Sequence, residues 1–252
     1  MRNATLLALV VALTTTVSSV VHAAPENTPQ VAAQLTVRVY DMTMVPAADQ
    51  TAALRAAAGV LAVAGINTAW VVCGPSAAAD GCERPLAGGE VSVRLARLPA
   101  APNAHGLLQL GYSLVNTQAG EGRLATVFVD RVEWLARPAG ADSPTVLGLA
   151  IAHEIGHLLL GTNAHAASGL MRALWSRHEL QHARNSDWLF LPAEASRMRT
   201  ALVARKGLEF SQHNPDASGC SASDDGAADR AAGCGSTASA AALRGVAAGG
   251  DR

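Results

Sequence analysis

Residues 143–171 read SPTVLGLAIAHEIGHLLLGTNAHAASGLM, and this stretch decides the fold. Ser143 is a suitable N-cap and Pro144 suits the first helical position. From there the pattern predicts a helix over 145–160, stopped by Gly161 in a left-handed conformation. At about 100° per residue, Leu147, Ile151, Ile155 and Leu158 share one stripe, and His153 and His157 lie roughly opposite. Such a helix packs into a core while pointing two imidazoles into a cleft.

Histidines at i and i+4 sit one helical turn apart, close enough to share a cation. Zinc in a catalytic site wants three protein ligands and one open position, and neutral imidazole nitrogen suits it. Glu154 is not placed to be a ligand. It projects beside the pair, where it can take a proton from water at the metal and return it to a leaving amine. Gly161 lets the chain turn, and residues 162–164 bring His165 back as the third ligand. The tight turn expected over 168–171 places Met171 beneath the site as structural support.

The same five-residue pattern, HExxH, occurs again as His178-Glu179-Leu180-Gln181-His182. Context separates the two copies. The second follows Trp175-Ser176-Arg177, and no further histidine comes before His213. It reads as a solvated helix face.

With these residues in view, the sequence resembles the metzincin zinc metallopeptidases, in particular short matrixin-like bacterial members, whose pattern is HExxHxxGxxH followed by a methionine turn. The resemblance covers residues 153–171 in detail. It implies an α+β fold: a mixed β-sheet packed with two main helices, one carrying HExxH, and a small C-terminal subdomain. It implies Zn2+ as cofactor on His153, His157 and His165, with Glu154 as general base and Met171 in support. Two departures stand out. Gly161 comes one residue late and His165 two residues late, so the strictly aligned ligand position holds Asn163. The resemblance further implies that an extended peptide binds beside an edge strand, for which residues 124–130 are the expected platform.

Upstream, residues 34–45 alternate as a strand, 47–65 form an Ala/Leu-rich helix ending at Gly65, and 68–73 form a short strand. Strands over 90–98, 111–117 and 124–130 follow, the last two joined by a turn at 118–122. That order, βαββ and then a hairpin, predicts a mixed sheet backed by helices. A further helix is expected over 192–205. Asp130, Arg131 and Glu133 read either as a charged strand end, the commoner case, or as residues reaching the cleft; His105, His182 and His213 read as surface histidines, and Trp134, Trp175 and Trp188 as core or rim aromatics.

Half of the residues are apolar and the net charge is −1, so a sizeable core is possible and no basic stripe suggests nucleic acid. Arg2, the apolar run 6–13 and Val21-His22-Ala23 read as a signal peptide over 1–23, cut after Ala23. Polar residues at 14–19 interrupt the run, which is too short to span a bilayer needing roughly 20 apolar residues. The mature chain is therefore expected to be secreted or periplasmic, with a metallopeptidase domain over 31–206 and a low-complexity tail over 207–252. Four cysteines fit an oxidising compartment. Local spacing favours Cys73 with Cys82 and Cys220 with Cys234, though three pairings are possible.

The leading expectation is a secreted, monomeric zinc endopeptidase acting on peptides or proteins. The alternative, motivated by the displaced third histidine, is a non-catalytic binding protein on a metzincin-like scaffold with a vestigial zinc site. A third reading puts zinc at the second copy.

Overall fold

Alternation of Leu35, Val37 and Val39, all at most 1% exposed, gives the sheet its first strand and the core its first layer. The computed structural model describes residues 33–74, 81–99, 108–182 and 184–213. They form β1 (Ala33–Asp41), α1 (Ala47–Val63), β2 (Ile66–Cys73), β3 (Glu90–Ala96), β4 (Gly111–Asn116), β5 (Glu121–Phe128), α2 (Val129–Ala136), α3 (Ser143–Leu160), α4 (Arg177–His182) and α5 (Pro192–His213). Two short 3-10 turns, Arg137–Ala139 and Asn185–Trp188, complete the set.

The five strands form one sheet in the order β2-β1-β3-β5-β4. β1, β2, β3 and β5 run parallel, while β4 is antiparallel and lies at the edge. The class is α+β with a mixed sheet, as expected from the element order. α1 and α3 pack against each other and the sheet, and the longer α5 packs against α3 and β1. The approach of α1 to α3 is close because a Cβ on Gly148 would fall 2.3 Å from the Ala53 carbonyl oxygen.

Several boundaries differ from the sequence reading. β1 stops at Asp41 because the Asp41 carboxylate accepts from the Thr43 amide (2.8 Å), its hydroxyl (2.8 Å) and the Val45 amide (2.9 Å), which turns the chain. Residues 129–136 are a helix, not the end of a strand and a loop. Val129, Val132, Leu135 and Ala136 are its buried face. The N-cap of α3 is Asp142, one residue before the expected Ser143, with its carboxylate accepting from Thr145 N at 2.9 Å. Every residue of α3 from Val146 to Leu159 is buried, the stripe of Leu147, Ile151, Ile155 and Leu158 in the core and the opposite side under the cleft wall. α3 is also the one helix among the described residues apolar and long enough to cross a membrane, and its burial within the protein explains that composition.

α5 continues past 205 to His213, crossing the expected start of the tail at 207. Buried Arg205 fastens it, donating to the carbonyls of Gly122 (3.0 Å) and Leu158. Cys73 and Cys82 form a disulfide. The loop that follows is tied to the sheet by buried Glu90, which pairs with Arg38 and Arg84 and accepts from the Ala87 amide at 3.0 Å. The leader over 1–23, His105, Cys220 and Cys234 lie outside the described residues.

Candidate metal centre

α3 carries His153 and His157 on the side that faces a cleft of about 660 Å3 between β4 and the segment after Met171. Gly161 ends the helix in the left-handed conformation (φ 65°), and the chain doubles back so that His165 arrives from above. His157 Nε2 lies 3.1 Å from His153 Nε2 and 3.3 Å from His165 Nε2. Ligand atoms of all three residues fall within 4.8 Å of one another, and no other trio of His, Cys, Asp or Glu does so among the described residues.

The outer nitrogens explain the inner ones. His153 Nδ1 sits 2.8 Å from the Leu170 carbonyl oxygen, and His157 Nδ1 sits 2.8 Å from that of Thr162. A carbonyl oxygen only accepts, so each Nδ1 carries the proton and each Nε2 presents a lone pair. Two lone pairs facing at 3.1 Å repel unless a cation lies between them. Burial holds the His153 imidazole down at about 3, against the Leu170 bond that favours its charged form, and burial also lowers His157 and His165. A shared proton is therefore a poor substitute at neutral pH, and the donor set fits a metal ion such as zinc.

Glu154 stands beside the cluster and is 5% exposed. Its Oε2 accepts from Ser113 Oγ at 2.7 Å, and its own backbone oxygen lies 2.8 Å from the same hydroxyl. Burial raises its carboxyl to about 7, while the Ser113 bond works the other way. Gly111, two residues earlier on the same face of β4, makes room: a Cβ there would lie 2.7 Å from Glu154 Oε1 and 2.6 Å from the Thr126 carbonyl oxygen. The alternation of Gly111 and Ser113 in a predicted strand was the available signal for this pair.

Met171 is 1% exposed and lies under α3, where a Cβ on Gly156 would come within 2.5 Å of its sulfur and 2.6 Å of the Phe190 ring. The turn that delivers it is closed by the Ala166 amide donating to Met171 O (2.9 Å) and the Leu170 amide donating to Leu189 O (2.8 Å). Trp175 packs edge-on against His153 at 5.7 Å between ring centroids and lines the cleft. Of the two readings of Arg131, a charged strand end and a residue reaching the cleft, the second holds: it lines the cleft from α2.

Residues 124–130 do not supply the edge expected of a peptide platform. β5 is paired on both sides, by β3 and β4, so the edge beside the cleft belongs to β4. The second HExxH copy occupies α4, whose His178 and His182 are exposed. Glu179 there caps the helix, accepting from Ser176 N at 2.7 Å, and pairs with Arg172 at 3.2 Å. Its roles are structural, and α4 has no third ligand group among the described residues.

No protein-family model matches the chain, and no curated protein sequence matches it either. Among solved structures, the chain is similar to an archaemetzincin from Methanopyrus kandleri, with 13% identity and a TM-score of 0.44 over 68% of this chain and 97% of that one. It is also similar to metalloproteinase-II from Bacteroides fragilis, with 15% identity and a TM-score of 0.41 over 68% of this chain. The chain spans about half of that second protein, 53%. At these TM-scores neither likeness bears on the assignment of the site.

Proposed function

We propose that this chain is a secreted zinc-dependent endopeptidase, with residues 31–206 as its catalytic domain. The observation that carries the proposal is the convergence of three imidazole Nε2 atoms, two of them oriented by carbonyls, beside a buried carboxylate. A structural zinc site needs no such carboxylate, which weighs against the non-catalytic alternative.

His153, His157 and His165 would hold the ion. Zinc, when bound, supplies Lewis acidity that acidifies water and polarises a carbonyl oxygen. The remaining work belongs to the chain. Glu154, raised to about 7, takes a proton from the attacking water and delivers it to the leaving amine. Ser113 fixes the rotamer of that carboxylate from the neighbouring strand. The free edge of β4 offers backbone donors and acceptors to an extended peptide lying across the cleft. Trp175 shields His153 from solvent.

The test is metal analysis and cleavage of casein or a peptide library by the mature chain and by Glu154→Ala. One zinc per chain with cleavage lost in the variant supports the proposal. Absence of metal binding, or equal cleavage by both proteins, contradicts it.

A further inference from the structure

The charge inside the cleft is not balanced. Apart from the histidines and the Tyr112 phenol, its ionisable lining consists of Glu154, Arg131 and Arg172. Glu154 is committed to the candidate centre. Arg172 has a counter-ion in Glu179 at 3.2 Å, donates to Asp187 O at 3.0 Å and stacks over Trp188 at 4.2 Å. It is a strut under the turn that carries Met171.

Arg131 differs. Its Nη1 donates to the Gln109 carbonyl at 2.9 Å and its guanidinium lies 4.6 Å from the Phe128 ring centroid, which fixes the group without neutralising it. Its Nε, like the Nε and Nη2 of Arg172, is buried with no hydrogen-bond partner, but unlike Arg172 it has no carboxylate within ion-pair distance among the described residues. The nearest acids in sequence are engaged elsewhere. Asp130 turns its carboxylate to the amides of Leu98 (2.9 Å) and Arg131 (3.2 Å), and Glu133 faces Arg137 at 3.8 Å. Residues 100–107, which precede the cleft wall, contain no Asp or Glu. Ala150, three residues before His153 on α3, lines the same cleft with only a methyl group. A guanidinium fixed in the wall of a concave site, with N–H groups to spare and no counter-ion, is suited to receive a carboxylate.

Resting on the peptidase reading, we infer that Arg131 selects substrates that place a carboxylate in this cleft, either an acidic side chain or a free C-terminus. Both sources present the same planar anion to the guanidinium, and matched peptides separate them.

The experiment uses the full chain with zinc and Glu154→Gln, so that binding is read without turnover. Three end-blocked or free peptides of otherwise identical sequence are compared by fluorescence anisotropy: one with an internal Glu, one with Gln and an amidated C-terminus, one with Gln and a free C-terminus. The carboxylate-bearing partner of at least one pair should bind roughly 10- to 100-fold more tightly than the neutral peptide. Adding Arg131→Gln should bring all three within about threefold of each other while leaving the neutral peptide's affinity unchanged, and Arg131→Lys should retain part of the preference. Equal binding of charged and neutral peptides by the Arg131 protein overturns the inference. So does a preference that survives Arg131→Gln, or a loss of affinity shared by all peptides. Cleavage with Glu154 intact is scored separately: a carboxylate preference without turnover leaves the assignment of Arg131 standing and removes the peptidase reading.

Discussion

Replacing Gly111 by alanine separates the position of Glu154 from the binding of metal. The added Cβ would sit 2.7 Å from Glu154 Oε1 and 2.6 Å from the backbone oxygen of Thr126. Ordinary contact begins near 3.4 Å, so either the carboxylate or the edge strand must retreat by about 0.7 Å. Thr126 belongs to an interior strand and is 1% exposed, so it cannot yield cheaply. The overpacking costs about 1–3 kcal/mol, less a few tenths recovered because alanine restricts the unfolded chain. The chemistry should suffer more than the fold. A misplacement approaching 1 Å at a proton-transferring group costs on the order of 100-fold in rate. The atoms nearest the added Cβ belong to Thr126 and Glu154 rather than to the histidines, so zinc stoichiometry should stay at the wild-type value. The assay pairs kcat/KM on a fluorogenic peptide with zinc content and a thermal melt. A variant that keeps kcat/KM within about threefold of wild type, with zinc bound, would refute the role given to this contact.

Other consequences follow from the same contacts. Met171→Ala empties a fully buried position under α3 and should cost about 2–5 kcal/mol, lowering Tm by roughly 5–15 °C in a calorimetric scan. For Glu90, burial alone would raise the carboxyl, but bonds from Arg84, Ala87 and Arg38 outweigh it and hold it below its ordinary value. Its contribution to stability is therefore complete above the unfolded carboxyl range and lost as pH falls through the depressed folded value. Urea unfolding of wild type and Glu90→Gln from pH 7 downward should show curves that converge in acid, and parallel curves would contradict this. His178→Ala, on exposed α4, should leave zinc content unchanged by atomic emission, and a loss of metal would move the centre to the second HExxH copy.

What could be read in advance was local. His153, Glu154 and His157 fall within one helical turn, and Gly161, His165 and Met171 follow within a short loop, so spacing alone brings them near each other. Element order likewise determined a mixed sheet. The hairpin was expected too, but which of its strands lay at the edge depended on how β5 inserted beside β3, a pairing between residues some thirty positions apart. Local alternation is silent on that. α2 was missed because its buried face spans only Val129, Val132, Leu135 and Ala136, directly continuing an apolar strand. Ser113 meets Glu154 from 41 residues away, and the carbonyl of Leu170 meets His153 from 17. Contacts of that range come from packing, and packing is what turns three nearby histidines into an oriented set. The cluster of exposed Arg84 with buried Arg38 and Glu90 belongs to the same class, since its members sit on a loop, β1 and β3.

The central claim rests on His165, which the sequence places in a longer loop than the family pattern and the structure places 3.3 Å from His157. Metal content of the purified chain beside His165→Ala tests it most directly. The account predicts one tightly held zinc per wild-type chain, and a variant whose zinc is removed by dialysis against a weak chelator. Equal retention by both proteins, or no zinc in either, contradicts the three-histidine centre.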